Sequence, residues 1–169
     1  MTSAARLLRR MHDASEGFAF DDYSGWYVEP AAPLEVMCHG DFAPYNCTIV
    51  GGEVAGVFDF DTARPGPRLA DVGYAAYRWV PLDRPADDSS AALTDQKRRL
   101  HLFCDACGDL FSTGDVLEAS VEQVTWMVGH MVEQADSGNE MFQRHIEEGH
   151  LIVYRDALEY MTEAHDHLL

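Results

Sequence analysis

A chain of 169 residues, 47% of them hydrophobic, is long enough for one sizeable core and too apolar for a disordered tail. Its 29 acidic and 12 basic residues give a formal charge of −17, which disfavours nucleic acid and anionic membrane and attracts cations. No apolar run approaches the roughly 20 residues that span a bilayer, and Met1 to Arg6 lacks a signal-peptide core, so a cytoplasmic location is expected.

In chain order, Leu7, Leu8 and Met11 fall at helix spacing, and Gly17 with the aromatic, acidic stretch Phe18 to Tyr27 breaks that pattern. Pro30 and Pro33 mark an irregular link before Leu34 to Cys38, a short apolar run that reads as a buried strand. Two further β-type runs, Cys47 to Val50 and Val54 to Phe58, flank Gly51 and Gly52. A glycine pair there predicts a tight hairpin, because both turn positions can take positive φ. With those two glycines as the loop, Val50 faces Glu53, and counting back sets Asn46 opposite Val57. Asp59 then lies two strand steps beyond, about 7 Å away.

Arg64 to Pro67 reads as a turn that cannot continue a strand. Asp71 to Trp79 reads as a helix, and Pro81, Pro85 and Asp87 to Ser90 as a loop. Leu93, Leu100, Phe103, Cys104 and Cys107 mark one helix face, on which the lone C-x-x-C is a pair of small core residues rather than a zinc or redox site. Asp115 is a candidate N-cap for a helix carrying Leu117, Val121, Val124, Met127, Val128, Met131 and Val132. Ser137 to Asn139 interrupts it, and residues from Met141 to Met161 trace a last long helix. The expected fold is α+β, mostly α, a single domain over residues 1–169 with a small β-hairpin among about five helices.

The chemistry-bearing residues gather around that hairpin. Phosphoryl-transfer sites need a carboxylate to accept a hydroxyl proton, and an amide oxygen with a second carboxylate to hold Mg²⁺. Asp41, Asn46 and Asp59 supply that set. Taken singly, Asp41 and Asn46 also read as turn residues. Asp59, between Phe58 and Phe60, would be costly to bury unless paired or metal-bound. His39 reads as a packing residue that hydrogen-bonds backbone and locks the loop. Asp71 reads either as a helix cap or as an acceptor for catalytic-loop N–H groups.

The run His39, Gly40, Asp41, Phe42 through Asn46, followed by Phe58 to Ala63 and Leu69 to Tyr74, resembles the aminoglycoside phosphotransferase and choline kinase-like family. The resemblance is specific over residues 36–78. Ala5 to Phe18 resembles the family's helix before the catalytic loop. It implies the C-terminal lobe of a protein kinase-like fold, with catalytic loop and metal hairpin over 36–63 and a helical remainder over 68–165. It also implies Asp41 as catalytic base and Asn46 and Asp59 as Mg²⁺ ligands, with ATP as donor. The family's N-terminal β lobe is expected to be absent. The single lysine, Lys97, lies on a late helix, and no nucleotide-binding residue is assigned.

Two functions are therefore expected to compete. One is an ATP-dependent phosphotransferase lobe acting on a small-molecule hydroxyl acceptor. The acids on the late helices (Asp136, Glu140, Glu147, Glu148) would let that acceptor be cationic. The other is a non-catalytic binding or scaffold module on the same lobe. Residual metal-dependent phosphate-ester hydrolysis is a weaker third. Neither main reading involves nucleic acid or membrane. A homo-oligomer, or a partner chain supplying an N-lobe, is the expected assembly.

Overall fold

The computed structural model describes residues 1–17, 25–86, 89–108 and 110–169. Among them are helices α1 (Thr2–Ser15), α2 (Arg68–Trp79), α3 (Ser90–Cys107), α4 (Thr113–Asp136), α5 (Glu140–Glu147), α6 (His150–Glu163) and α7 (His165–Leu168). Strands β1 (Val36–Cys38), β2 (Cys47–Val50), β3 (Glu53–Val57) and β4 (Arg64–Gly66) form two separate antiparallel ribbons, β1 with β4 and β2 with β3. The architecture is mostly helical α+β. Much of the Phe18 to Tyr27 stretch, together with Asp87 and Asp88, lies outside the described residues. No helix among the described residues is long and apolar enough to cross a membrane.

One buried cluster joins the helices. Ala4, Ala5 and Leu8 of α1 meet Phe42, the apolar face of α2, Leu100 and Phe103 of α3, Leu117 and Val124 of α4, and Met161 and Leu168 near the C-terminal end. The crossing of α2 and α4 is set by Gly73. A Cβ at that position would lie 2.6 Å from the backbone carbon of Ala119, closer than side chains are found. Ser120 Oγ donates to Gly73 O at 2.8 Å, so the missing side chain is replaced by a buried hydrogen bond between the helices. Cys104 and Cys107 are buried free thiols on the core face of α3.

Several expectations are corrected. Arg64 to Gly66 is a strand, with Pro65 opposite Met37. Proline is tolerated because the ribbon has only two strands, so its missing N–H can face away from the ladder. Ser112, not Asp115, is the N-cap of α4. Asp115 is its third helical residue and completes a capping box with Ser112. The last long helix is broken at Gly149, whose φ of +88° starts α6 afresh, so Ile152 and Val153 are exposed rather than core.

The hairpin turn is Gly51 and Gly52, with φ of +60° and +84°, and Val50 faces Glu53. Between Thr48 and Ile49 the register shifts. Thr48 pairs with Gly56 while Ile49 pairs with Val54, so Ala55 is the extra residue of a bulge. Asn46 therefore lies opposite Phe58, whose N–H donates to Asn46 O at 3.0 Å, instead of opposite Val57.

The close approach at Gly73 makes a direct prediction. Gly73→Ala pushes a methyl group into the backbone of α4 and should destabilise the chain by about 3 kcal/mol, the upper part of the overpacking range. Urea denaturation measures this, and a loss below about 0.5 kcal/mol, the size of a surface effect, would contradict the packing described.

Candidate functional site

The loop between β1 and the 3-10 turn Pro44–Asn46 is built on a buried carboxylate. Asp71 lies in the first turn of α2. Its Oδ2 accepts the His39 N–H at 2.8 Å and its Oδ1 accepts the Gly40 N–H at 2.9 Å. The Nε2 of His12 on α1 lies 2.9 Å from Oδ2. Both side chains of the His12–Asp71 pair are fully buried. Burial alone would raise the Asp71 carboxyl. The hydrogen bonds from His12, Gly40 and His39 outweigh that and hold it below the usual carboxylate range. Of the two roles expected for Asp71, the geometry is that of an acceptor for loop N–H groups.

Gly40 is required at the next position. Its φ is +81°, and a Cβ there would meet Thr62 O at 2.6 Å and the Arg64 guanidinium at 2.9 Å. His39 is fully buried and joins the two halves of the site. Its Nε2 lies 3.1 Å from Phe58 O, its Nδ1 accepts the Asp41 N–H at 3.3 Å, and its ring packs on Phe60 at 4.8 Å between centroids. Thr62 Oγ1 donates to His39 O at 3.0 Å. The loop carrying Asp41 and the segment carrying Asp59 are thus tied through one imidazole and one hydroxyl.

Asp41 is held by three donors. Tyr45 and Tyr74 give their hydroxyls to Oδ1 at 2.6 Å and 2.7 Å, and Asn46 Nδ2 gives to Oδ2 at 2.9 Å and to Asp41 O at 3.0 Å. Burial pushes both tyrosine hydroxyls well above the ordinary phenol range, so they stay protonated donors. With both tyrosines on Oδ1, Oδ2 keeps acceptor capacity beyond the Asn46 bond.

Asn46 is nearly buried, and among the described residues no group donates to its Oδ1. Asp59 is not embedded in a strand, as its apolar neighbours suggested. It follows the end of β3, is exposed, and has φ of +64°. An aspartate tolerates that left-handed conformation better than most side chains. Its carboxylate makes no hydrogen bond or ion pair among the described residues, and lines the same cleft as Asp41. A free amide oxygen and a free carboxylate are the hard oxygen donors that suit Mg²⁺, which takes one or two protein carboxylates and completes its shell from water and phosphate. Among the described residues no group of three or more His, Cys, Asp or Glu side chains is placed to hold a metal ion.

The cleft measures about 800 Å³. Asp41, Asp59 and Asp61 line it beside the loop. Rings and methionines of α4 to α6, among them Trp126, His130, Phe142 and Tyr154, line the opposite side, and Arg64, Arg78 and His150 also face the cleft. Asp136, Glu140, Glu147 and Glu148 are not among the lining residues.

Sequence reasoning passed over Tyr45, Tyr74 and Thr62. A signal was available for one of them: Tyr74 falls three residues after Asp71 and so shares its helix face. Nothing in the local pattern of Tyr45 or Thr62 separates them from ordinary loop residues.

The model of the phosphotransferase enzyme family, APH, matches residues 27–103, a segment that holds Asp41, Asn46, Asp59 and Asp71. Within that class, the match agrees with a member of the aminoglycoside phosphotransferase and choline kinase-like family. Comparison with curated proteins and with solved structures gives no match.

Asp71 generates a stability prediction. A carboxyl whose folded pKa is depressed contributes stability that is fully present above its unfolded value, and loses it as pH falls through the folded value. Asp71→Asn should cost about 3 kcal/mol at pH 7, because two backbone N–H groups and His12 lose their charged partner. Thermal unfolding of both chains across pH should show a constant gap down to about pH 4, the unfolded aspartate value, narrowing only below it. A gap that opens with acid would reverse the assignment.

Proposed function

We propose that this chain carries the catalytic lobe of a kinase-like, ATP-dependent phosphotransferase acting on a small-molecule hydroxyl. The observation that carries the reading is the carboxylate of Asp41. It is fixed by Tyr45, Tyr74 and Asn46 at the wall of a large cleft that the carboxylate of Asp59 also lines.

In this reading Asp41 Oδ2 receives the proton of the acceptor hydroxyl as the new O–P bond forms and the bond to the leaving phosphate breaks. Tyr45 and Tyr74 orient the carboxylate through their hydroxyls on Oδ1. Asn46 Oδ1 and the Asp59 carboxylate would hold Mg²⁺, which when bound supplies charge neutralisation for the phosphates. Asn46 has two jobs: its amide nitrogen aims Asp41 and its amide oxygen is left for the cation. His39 and Asp71 support the site without touching substrate.

A second reading, a non-catalytic binding module, draws on the exposed apolar side chains Ile49, Val50, Phe58 and Phe60 on and beside the hairpin. Such a face suits association with another protein surface. Concentration-dependent self-association, with no nucleotide binding, would favour it.

The two readings separate on variants that leave the fold alone. Asp41→Asn should lower phosphate transfer from Mg²⁺–ATP to the acceptor at least 1000-fold, a loss of about 4 kcal/mol in transition-state stabilisation, with thermal stability nearly unchanged. Asp59→Gly should abolish Mg²⁺-dependent binding of a non-hydrolysable ATP analogue in calorimetry. It should keep stability within about 1 kcal/mol, since glycine accepts the positive φ without strain. Transfer that survives Asp41→Asn removes the assigned base.

A further inference from the structure

The far wall of the cleft is built from rings. Trp126 and His130 stack at 4.9 Å between centroids with planes 13° apart, Phe142 stands edge-on to His130 at 5.4 Å, and His145 continues the row at 6.0 Å to His150 at 5.0 Å. Burial lowers His130 from its usual range, so at neutral pH it contributes a neutral ring. The methionines at 127, 131 and 141 fill the spaces between with adaptable apolar surface.

Two cationic side chains, Arg64 of β4 and Arg78 of α2, face the cleft across from this wall. The Arg64 guanidinium lies 5.0 Å from the Trp126 ring and Arg78 lies 5.1 Å from the Tyr45 ring. Both arginines line the cleft, and among the described residues no carboxylate lies within ion-pairing distance of either. The acids of the cleft, Asp41, Asp59 and Asp61, belong to the transfer end, where the proposed base and metal engage them.

A polycation laid along the ring wall would meet Glu148 only at the far end, 3.8 Å from His150 Nε2, and its ammonium groups would be repelled by Arg64 and Arg78. A flat ring would stack instead, and an acid group on it would meet guanidinium groups on which Asp71 (for Arg64) and Asp83 (for Arg78) act only from beyond ion-pairing distance. The overall charge of −17 opposes an incoming anion. That field is screened beyond about 8 Å at physiological salt, whereas the arginines act at contact.

The geometry points to an acceptor with a planar, aromatic body bearing an acid group and a reactive hydroxyl, rather than a polycationic sugar or amino alcohol. This inference rests on the phosphotransferase reading for the hydroxyl, and on the ring wall and the two arginines for the rest.

The test is binding to the full chain without nucleotide, followed by the Trp126 indole N–H signal in ¹⁵N NMR and assigned with Trp126→Phe. Three probes are compared: 6-(hydroxymethyl)-2-naphthoate, the same naphthalene with an aminomethyl group in place of the carboxylate, and kanamycin. The naphthoate should shift the Trp126 signal saturably and bind at least tenfold tighter than its ammonium counterpart, with kanamycin leaving the signal in place. Arg64→Gln should weaken naphthoate binding about tenfold, the loss of one charge-assisted contact. Equal or tighter binding of either cation at the Trp126 wall, or no naphthoate shift up to roughly 10 mM, overturns the inference. A parallel titration with a non-hydrolysable ATP analogue and Mg²⁺ keeps the two readings apart. Naphthoate binding without nucleotide binding supports the cleft assignment and counts against the kinase reading. Nucleotide binding without naphthoate binding does the reverse.

Discussion

A single buried carboxylate organises the molecule. Asp71 is reached by His12 from α1 and by two consecutive N–H groups from the loop after β1, so three segments distant in sequence share one anion. A buried charge is tolerated only when it is well paired, and removal of its partners leaves a desolvation cost of several kcal/mol. The loop carrying Asp41 therefore cannot relax independently of α1 and α2. The same constraint fixes the backbone at Gly40, where φ is positive and no side chain fits.

From that anchor the rest of the site follows by short links. His39 is held by its own N–H on Asp71, and its ring then reaches Phe58 O and the Asp41 N–H. Asp41 is aimed by Tyr45, Tyr74 and Asn46, and Tyr74 stands on the helix that begins beside Asp71. Side chains preorganised in this way need no rearrangement to present the Asp41 carboxylate, so a loop can hold it in one orientation. The helices α4 to α6 add the opposite wall of the cleft, made of rings and methionines.

Much of the fold was legible because the signals were strongly periodic or chemically specific. The glycine pair at 51 and 52 specified the hairpin turn through its φ requirement. The apolar spacing of Val72, Ala75, Ala76 and Trp79 specified the buried face of α2. Three features were not legible. The bulge at Ala55 depends on how the ribbon twists onto the core, so the register around Asn46 was displaced by one residue. The strand Arg64–Gly66 exists through its pairing with β1, a tertiary preference that overrides the poor strand propensity of Pro65. Asp59 looked buried from its phenylalanine neighbours, yet Phe58 and Phe60 are themselves about half exposed, so the usual link between apolar neighbours and burial fails there. Of the candidate site, the residue types around the hairpin could be read from spacing. Tyr45 sits in the loop beside Asp41 with no pattern to distinguish it, Tyr74 was legible only through the helix face it shares with Asp71, and the ring wall was not legible because it is assembled from helices far from the loop in sequence.

The most direct measurement is amide hydrogen exchange at His39 and Gly40, read by NMR in the intact chain. If Asp71 anchors the loop, both amides exchange only through global unfolding, at rates matching the core of α2 and far slower than the exposed amides of Asp59 and Phe60. Exchange of His39 and Gly40 on the fast timescale of those exposed neighbours would contradict the account, since the loop would then open without breaking the fold.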